Sequence, residues 1–296
     1  MSLNAFVLIL SLPFSLFSEQ GDKGNDSSEI RIQKGHSLME TVFDRFHINY
    51  EMSRIHKVGY YRESMSDSQS LYYLADGIVD IYIPSNLNQI ENAYIKPIKT
   101  RKKAFKELAD EYILLGNASD MARSSIWRPN SFLSDKNREH YTFKYEGDSI
   151  LNNYDISIIS FEPIKTKGEA SGKIYVDQHS KAIIKIAYLP DASHSKLWSS
   201  VSWSEEFQFR DGAFELSSVR FHGVSSENSY QYDATLVMDQ LEVLIRIPEN
   251  EEYIKENSPL LDEVVIESSS DFWDGYEFLK RNLQSEAEQA ILSQLN

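Results

Sequence analysis

Between Leu71 and Ile83 one phase of the chain is apolar (Leu71, Tyr73, Ala75, Val79, Ile81, Ile83), while Asp76 and Asp80 stand in the other. A period of two places the first set on one side of an extended strand and the second on its wetter side. Pro84, Ser85 and Asn86 end the run. The pattern returns in Glu139–Tyr145, Tyr154–Phe161, Gly172–Val176, Ala182–Tyr188, Trp203–Arg210, Ala213–Phe221 and Ser229–Val243. The separating turns are short. Asp177-Gln178-His179-Ser180 closes one hairpin, and Asp211-Gly212 closes another with the strongest turn signal in the chain. Connections this short make neighbours antiparallel, because parallel strands need a long crossover. Seven or more such strands with few helices form a sheet that has to curl to hide its apolar face and its edges. The fold class expected is mainly β (α+β), a curved antiparallel half-barrel with one N-terminal helix and C-terminal helices.

The flanks read differently. Residues Ala5–Phe17 are an unbroken apolar run of 13 residues, short for a membrane span and suited to a signal peptide over residues 1–18. A polar, flexible mature N-terminus is expected over 19–35. Ser37 and Glu40 have capping-box spacing, which predicts a helix over Ser37–Tyr50 with Met39, Val42, Phe43, Phe46 and Tyr50 on its buried stripe. The sheet domain with this helix is expected to run from 36 to 246. The basic stretch Ile95–Lys106 (Lys96, Lys99, Arg101, Lys102, Lys103, Lys106) reads as a solvated strand face and turn, with contact to an anion such as a lipid headgroup or a phosphate as the functional alternative. Asp110–Leu115 is ambiguous between strand and helix, Ser119–Ile126 reads as a short helix, and the Ser-dense Ser193–Ser204 reads as a loop running into a strand. Residues 247–296 are an acidic linker and C-terminal helices docked on the same domain. They hold twelve acidic and three basic residues from Glu249 onward, with Phe272, Trp273, Tyr276, Leu279 and Leu283 on one face and a second capping box at Ser285 and Glu288.

The chemistry is defined mostly by exclusion. The net charge of −15 argues against nucleic acid, whose phosphates would be repelled. With no cysteine, disulfides, thiolate metal sites and a cysteine nucleophile are ruled out. The sequence has no G-x-S-x-G, H-E-x-x-H or G-x-G-x-x-G. The seven histidines are scattered, none two or four residues from another. His47, with Asp44 and Glu51 beside it, reads as a surface residue. No cofactor and no metal are expected, the protein is expected not to be an enzyme, and no transmembrane segment is expected in the mature chain.

A resemblance adds to this. Gly59-Tyr60-Tyr61-Arg62-Glu63, then Ala75-Asp76-Gly77-Ile78-Val79-Asp80-Ile81-Tyr82, then Ile158-Ile159-Ser160-Phe161-Glu162-Pro163 follow the helix in order. Gly172-Lys173-Ile174-Tyr175-Val176-Asp177, Ser180-Lys181-Ala182-Ile183 and Phe272-Trp273-Asp274-Gly275-Tyr276 complete the series. From His36 on, this is similar to the region that follows the carboxypeptidase-like regulatory domain in a family of bacterial envelope proteins. That region in turn resembles the half-barrel of outer-membrane lipoprotein-sorting proteins. No counterpart of the regulatory domain precedes the helix, and there is no lipobox cysteine. The resemblance implies a periplasmic or secreted, non-enzymatic protein of the envelope, with a lipid or acyl group, or an envelope protein, as partner.

A curved sheet with aliphatic residues inside makes an apolar cavity. The lining expected is Val79, Ile81, Ile83, Ile156, Ile158, Ile174, Val176, Ile184, Ile186 and Trp203. If a helix plugs the curve, the same residues become an ordinary core, and the alternative function is an interaction module of the outer-membrane assembly machinery. A hydrolase assembled only by folding is the third reading.

Overall fold

The computed structural model describes residues 28–85, 93–104, 118–165, 170–192, 195, 197–226, 230–249, 251, 253 and 272–280. The signal-peptide stretch, Asp110–Leu115 and the second C-terminal capping box lie outside them. Helix α1 (Ser28–Asp44) and the single turn α2 (Phe46–Asn49) lead into three strands, β1 (Arg54–Ser66), β2 (Leu71–Ile83) and β3 (Tyr94–Ala104). A short helix, α3 (Ala118–Met121), begins an irregular segment that runs to His140. Seven strands follow: β4 (Tyr141–Leu151), β5 (Tyr154–Pro163), β6 (Ser171–Asp177), β7 (Ile183–Leu189), β8 (Trp198–Arg210), β9 (Ala213–Ser225) and β10 (Gln231–Leu244). The last described element is α4 (Glu277–Lys280).

The ten strands among the described residues form one antiparallel sheet, curved and unclosed, in the order β3-β2-β1-β10-β9-β8-β7-β6-β5-β4. The two edge strands, β3 and β4, are consecutive in the chain, so the connection between them has to pass from one edge to the other. Its described part, 118–140, does so across the core face. Met121, Ala122, Ile126, Phe132 and Leu133 are all buried there. Phe132 stacks on Phe161 of β5 at 4.0 Å, and Trp127 meets Phe46 and Tyr50 edge-on. The segment is held by Glu205 of β8, whose fully buried carboxylate accepts from Ser124 Oγ (2.7 Å), Ser125 N (2.9 Å) and Trp203 Nε1 (3.0 Å). A buried carboxylate with several donors avoids the large cost of an uncompensated charge.

Helix α1 covers the β4 end of the same face, with Met39 and Val42 buried and Phe43 against Phe143 at 6.1 Å. It starts at Ser28 rather than Ser37, so the stretch expected to be flexible is helical from Ser28 onward. Ser37 is mid-helix and its carbonyl accepts from Thr41 Oγ1 at 3.1 Å. A Ser-x-x-Glu pair does not start a helix when the preceding turn already packs. Gly35 is the reason it packs: a Cβ there would stand 2.4 Å from the Phe143 carbonyl oxygen, so only glycine lets the helix lie this close to β4. Tyr50 pins the end of α2, its hydroxyl donating to Ile183 O at 2.9 Å and accepting from Ile183 N at 2.6 Å.

Among the described residues, the opposite face is covered over β10, β1, β2 and β3. There Phe272, Trp273 and Leu279 bury Val58, Tyr60, Ile78 and Val237. Trp273 lies 5.0 Å from Tyr60, and the Arg101 guanidinium sits 4.0 Å over Phe272. Arg101 also pairs with buried Asp76 at 2.8 Å, which accepts from Tyr60 Oη at 2.8 Å. The short helix expected at Ser119–Ile126 is reduced to α3, and the strand expected from Trp203 begins at Trp198, inside the Ser-dense stretch. At the β8–β9 turn Asp211 and Gly212 both have positive φ (51° and 94°), the conformation a two-residue hairpin requires.

Candidate ligand-binding trough

The site follows from register. Read across the sheet, Phe161, Gly172, Tyr188, Trp203, Phe221, Ala234 and Glu63 are direct cross-strand partners in the core-facing phase of their strands. One residue away, on the opposite face, is a second row: Ser160, Lys173, Ala187, Ser204, Arg220, Thr235 and Arg62, each again the partner of the next. It extends to Lys144 at one end and to Asp76 and Arg101 at the other. On the other side of the core-facing row, Ser202, His222, Asp233 and Ser64 are paired in turn, in line with Ser171 and Leu189. Between these two outward rows lies a trough of about 1,090 Å³ on the face opposite the core, crossing β5 to β10 and ending on β1.

Its walls are more apolar than polar. Tyr175, Ala187 and Leu189 contribute, as do the aliphatic stems of Lys173 and Lys185, which carry their charges outward. The floor is close to the backbone, since small side chains (Ser160, Ser171, Ala187, Ser202, Ser204) alternate with the long ones. Ion pairs fasten the rim. Lys185 Nζ is 2.7 Å from Glu206 Oε1, and Ser160 Oγ donates to Glu146 Oε1 at 2.6 Å. His222 Nδ1 is 2.8 Å from Asp233 Oδ1, and that hydrogen bond holds the imidazole above its ordinary pKa against partial burial. Beneath the β1 end, on the core side, Glu63 accepts from Tyr61 and Tyr232 through one oxygen (2.7 and 2.5 Å) and from Tyr73 through the other (3.1 Å). Burial pushes its carboxyl above the ordinary range, and the three hydroxyls oppose that shift.

The residues expected to line a cavity have another place. Val79, Ile81, Ile83, Ile156, Ile174, Val176, Ile184 and Ile186 are buried in the main core, at most 5% exposed, under α1, α2 and the crossing segment. Ile158 is half-buried and packs against that core. Trp203 alone of the ten also lines the trough. Where these residues are buried, the face they occupy is filled by the chain itself, which makes them a core; Ile158, paired with Tyr175, is in the same strand phase as the trough residue Ser160. The trough residues occupy the polar phase of each strand, a phase that reads as solvent-facing in any single strand. Among the described residues, no group of three or more His, Asp or Glu side chains is placed to hold a metal ion, and no helix is long and apolar enough to cross a membrane.

Fold and trough together define an open antiparallel sheet, packed by its own chain on one face and carrying a ligand-sized trough on the other. No family model matches the chain, and no curated protein matches it. Among solved structures it is similar to a DUF1329 family protein from Desulfovibrio piger (10% identity, TM-score 0.34, 74% of this chain and 95% of that one). It is also similar to a putative outer membrane lipoprotein-sorting protein domain from Vibrio parahaemolyticus (11% identity, TM-score 0.35, 74% and 96%). A third likeness, to lipovitellin in a study of its lipid–protein interactions, covers 68% of this chain and 27% of that one at 8% identity and a TM-score of 0.29.

Proposed function

We propose that this chain is a non-enzymatic binding protein of the bacterial envelope that holds an acyl chain or another apolar group in the trough. The trough itself carries the reading. Its volume of about 1,090 Å³ is that of a site for a sizeable small molecule, and its walls are mainly apolar. The envelope location and the kinship with the regulatory-domain family rest on the apolar run Ala5–Phe17 and on the residue series quoted above. A second reading, an interaction module with a self-filled core, is favoured by the burial of eight of the ten expected lining residues at 5% exposure or less.

Lipid extraction and mass spectrometry of the purified protein, with titration of a fluorescent fatty acid, test the proposal. Ala187, in the middle of the trough, supplies the control. Ala187→Trp fills the space without touching the core face, and is expected to weaken probe binding at least about tenfold, roughly 1.4 kcal/mol, while leaving the melting temperature unchanged. Equal binding by the variant, or no binding by either protein, overturns the proposal.

A further inference from the structure

Resting on that reading of the trough, we infer that the site has a second, covered half. The ligand's apolar chain lies where residues 272–280 pack on the sheet, and this C-terminal segment is a plug that the chain displaces. Register sets the two halves end to end. The trough ends on the cross-strand pair Arg62 and Thr235. Two residues further along the same strands, in the same phase, Tyr60 and Val237 are again direct partners, about 7 Å away along the strands. Ile78 is the next partner of Tyr60, and Val58 lies two residues beyond Tyr60 on β1. These four apolar side chains are buried on the outward face by Phe272, Trp273 and Leu279. The two halves differ in kind. The trough carries both signs of charge: Arg62, Lys173 and Arg220, each with an interaction inside the protein, and the carboxylates Glu162 and Asp233. A lining of that kind suits the polar end of an amphiphile. The floor under the plug is apolar, and the one hydroxyl in it, Tyr60 Oη, donates to Asp76 at 2.8 Å. It suits a chain. Thr235, short and half-buried, is the low sill between the halves, beside the longer Arg62. The plug is anchored weakly enough to leave. Three buried side chains hold it, while the backbone of nine residues has to be ordered to place them, so burial and conformational entropy oppose each other closely. Its backbone closes on itself, Tyr276 N donating to Trp273 O at 2.7 Å and Leu279 N to Tyr276 O at 3.1 Å. Lys99 Nζ reaches Asp274 O at 3.3 Å from an exposed position. An acyl chain offers the same floor apolar contact with no backbone to order. The free protein then binds through the fraction of molecules whose plug is off, and its apparent affinity is lowered by that fraction.

The test uses the full chain with two fatty acids, octanoate, which the trough accommodates alone, and palmitate, long enough to enter the covered half. Hydrogen exchange over residues 272–280, read by mass spectrometry, is expected to speed at least about fivefold with saturating palmitate and to stay within about twofold with saturating octanoate. Trp273→Ala and Leu279→Ala, made together, remove two of the three anchors. They are expected to raise palmitate affinity at least about fivefold and to leave octanoate affinity within about twofold. Exchange that slows or stays the same when palmitate binds, or a folded double variant that binds palmitate no better than the parent, overturns the inference and leaves the trough reading standing. Equal speeding by both fatty acids overturns it as well, because the short chain does not reach the plug from the trough. Should the double variant not fold, the exchange measurement on the parent protein decides. Failure of both fatty acids to bind overturns both readings.

Discussion

Glu205 is surrounded by donors from two directions, the crossing segment and its own strand, and its burial is complete. Among the ionisable residues His56 gives the most direct measurement. Its Nε2 is 2.8 Å from Asp80 Oδ1, and that hydrogen bond raises its pKa against the opposing effect of burial. A histidine whose pKa rises on folding stabilises fully below its unfolded value of about 6.5, and the contribution disappears as pH rises through the raised folded value. His56→Gln is therefore expected to destabilise the protein at pH 5.5 and to do so less at pH 8.5. The difference is no more than about 1 kcal/mol, because both side chains retain some solvent contact. Urea titrations at the two pH values check it; an equal loss at both would show that the pair carries no charge-dependent stability. Neither contact was legible in the sequence. His56 and Asp80 are 24 positions apart and meet through sheet register, while Glu205 is 80 from Ser125 and meets it because the segment 118–140 crosses the core face.

At the scale of elements, β2 spans the residues that alternation predicts, Leu71–Ile83, but both of its faces are buried over Tyr73–Val79, so Asp76, expected on a wetter side, is fully buried. The β8–β9 turn was equally legible in Asp211-Gly212. Two kinds of information were not. Helix α1 extends nine residues before its apparent cap, because tight packing through Gly35 outweighs the local capping signal. Gly35→Ala is expected to separate α1 from β4 and cost about 2–3 kcal/mol, as overpacking at a rigid backbone contact does; a change within error in chemical denaturation would contradict that account. The trough was hidden because its rows depend on register, and register slips at bulges. Counting back from the β8–β9 turn, the pairing shifts between Glu206 and Phe207, so a count made from the turn alone misplaces Ser204 and Arg220 by one residue and sends one of them to the wrong face. Ser199, Ser200, Ser202 and Ser204 compounded the error, since serines of that density read as loop when in fact they are strand residues on and beside the trough.

For the molecule as described, two separate patches of chain pack the sheet, one on each face. The larger, from α1, α2 and residues 118–140, makes the main core, and the smaller, around Phe272, Trp273 and Leu279, covers the outward side of β1, β2, β3 and β10. Removing Asp271–Asn296 is expected to expose Val58, Tyr60, Ile78 and Val237. It should lower the melting temperature by several degrees and raise binding of a hydrophobic dye. An unchanged melting temperature with loss of a protein partner would instead favour the interaction-module reading, in which this segment is a detachable contact.

The strand order has one more implication, for kinetics. Among the described strands, eight of the nine ladders join strands adjacent in sequence, and only the β1–β10 seam, from Arg54 opposite Leu244 to Ser66 opposite Gln231, joins the beginning of the sheet to its end. Moved to a new start between β3 and β4, the same polypeptide would be a plain up-and-down meander. As it stands, two locally closing halves wait on one long-range zipper, and the loop entropy of that closure makes the seam the natural rate-limiting event as the chain folds.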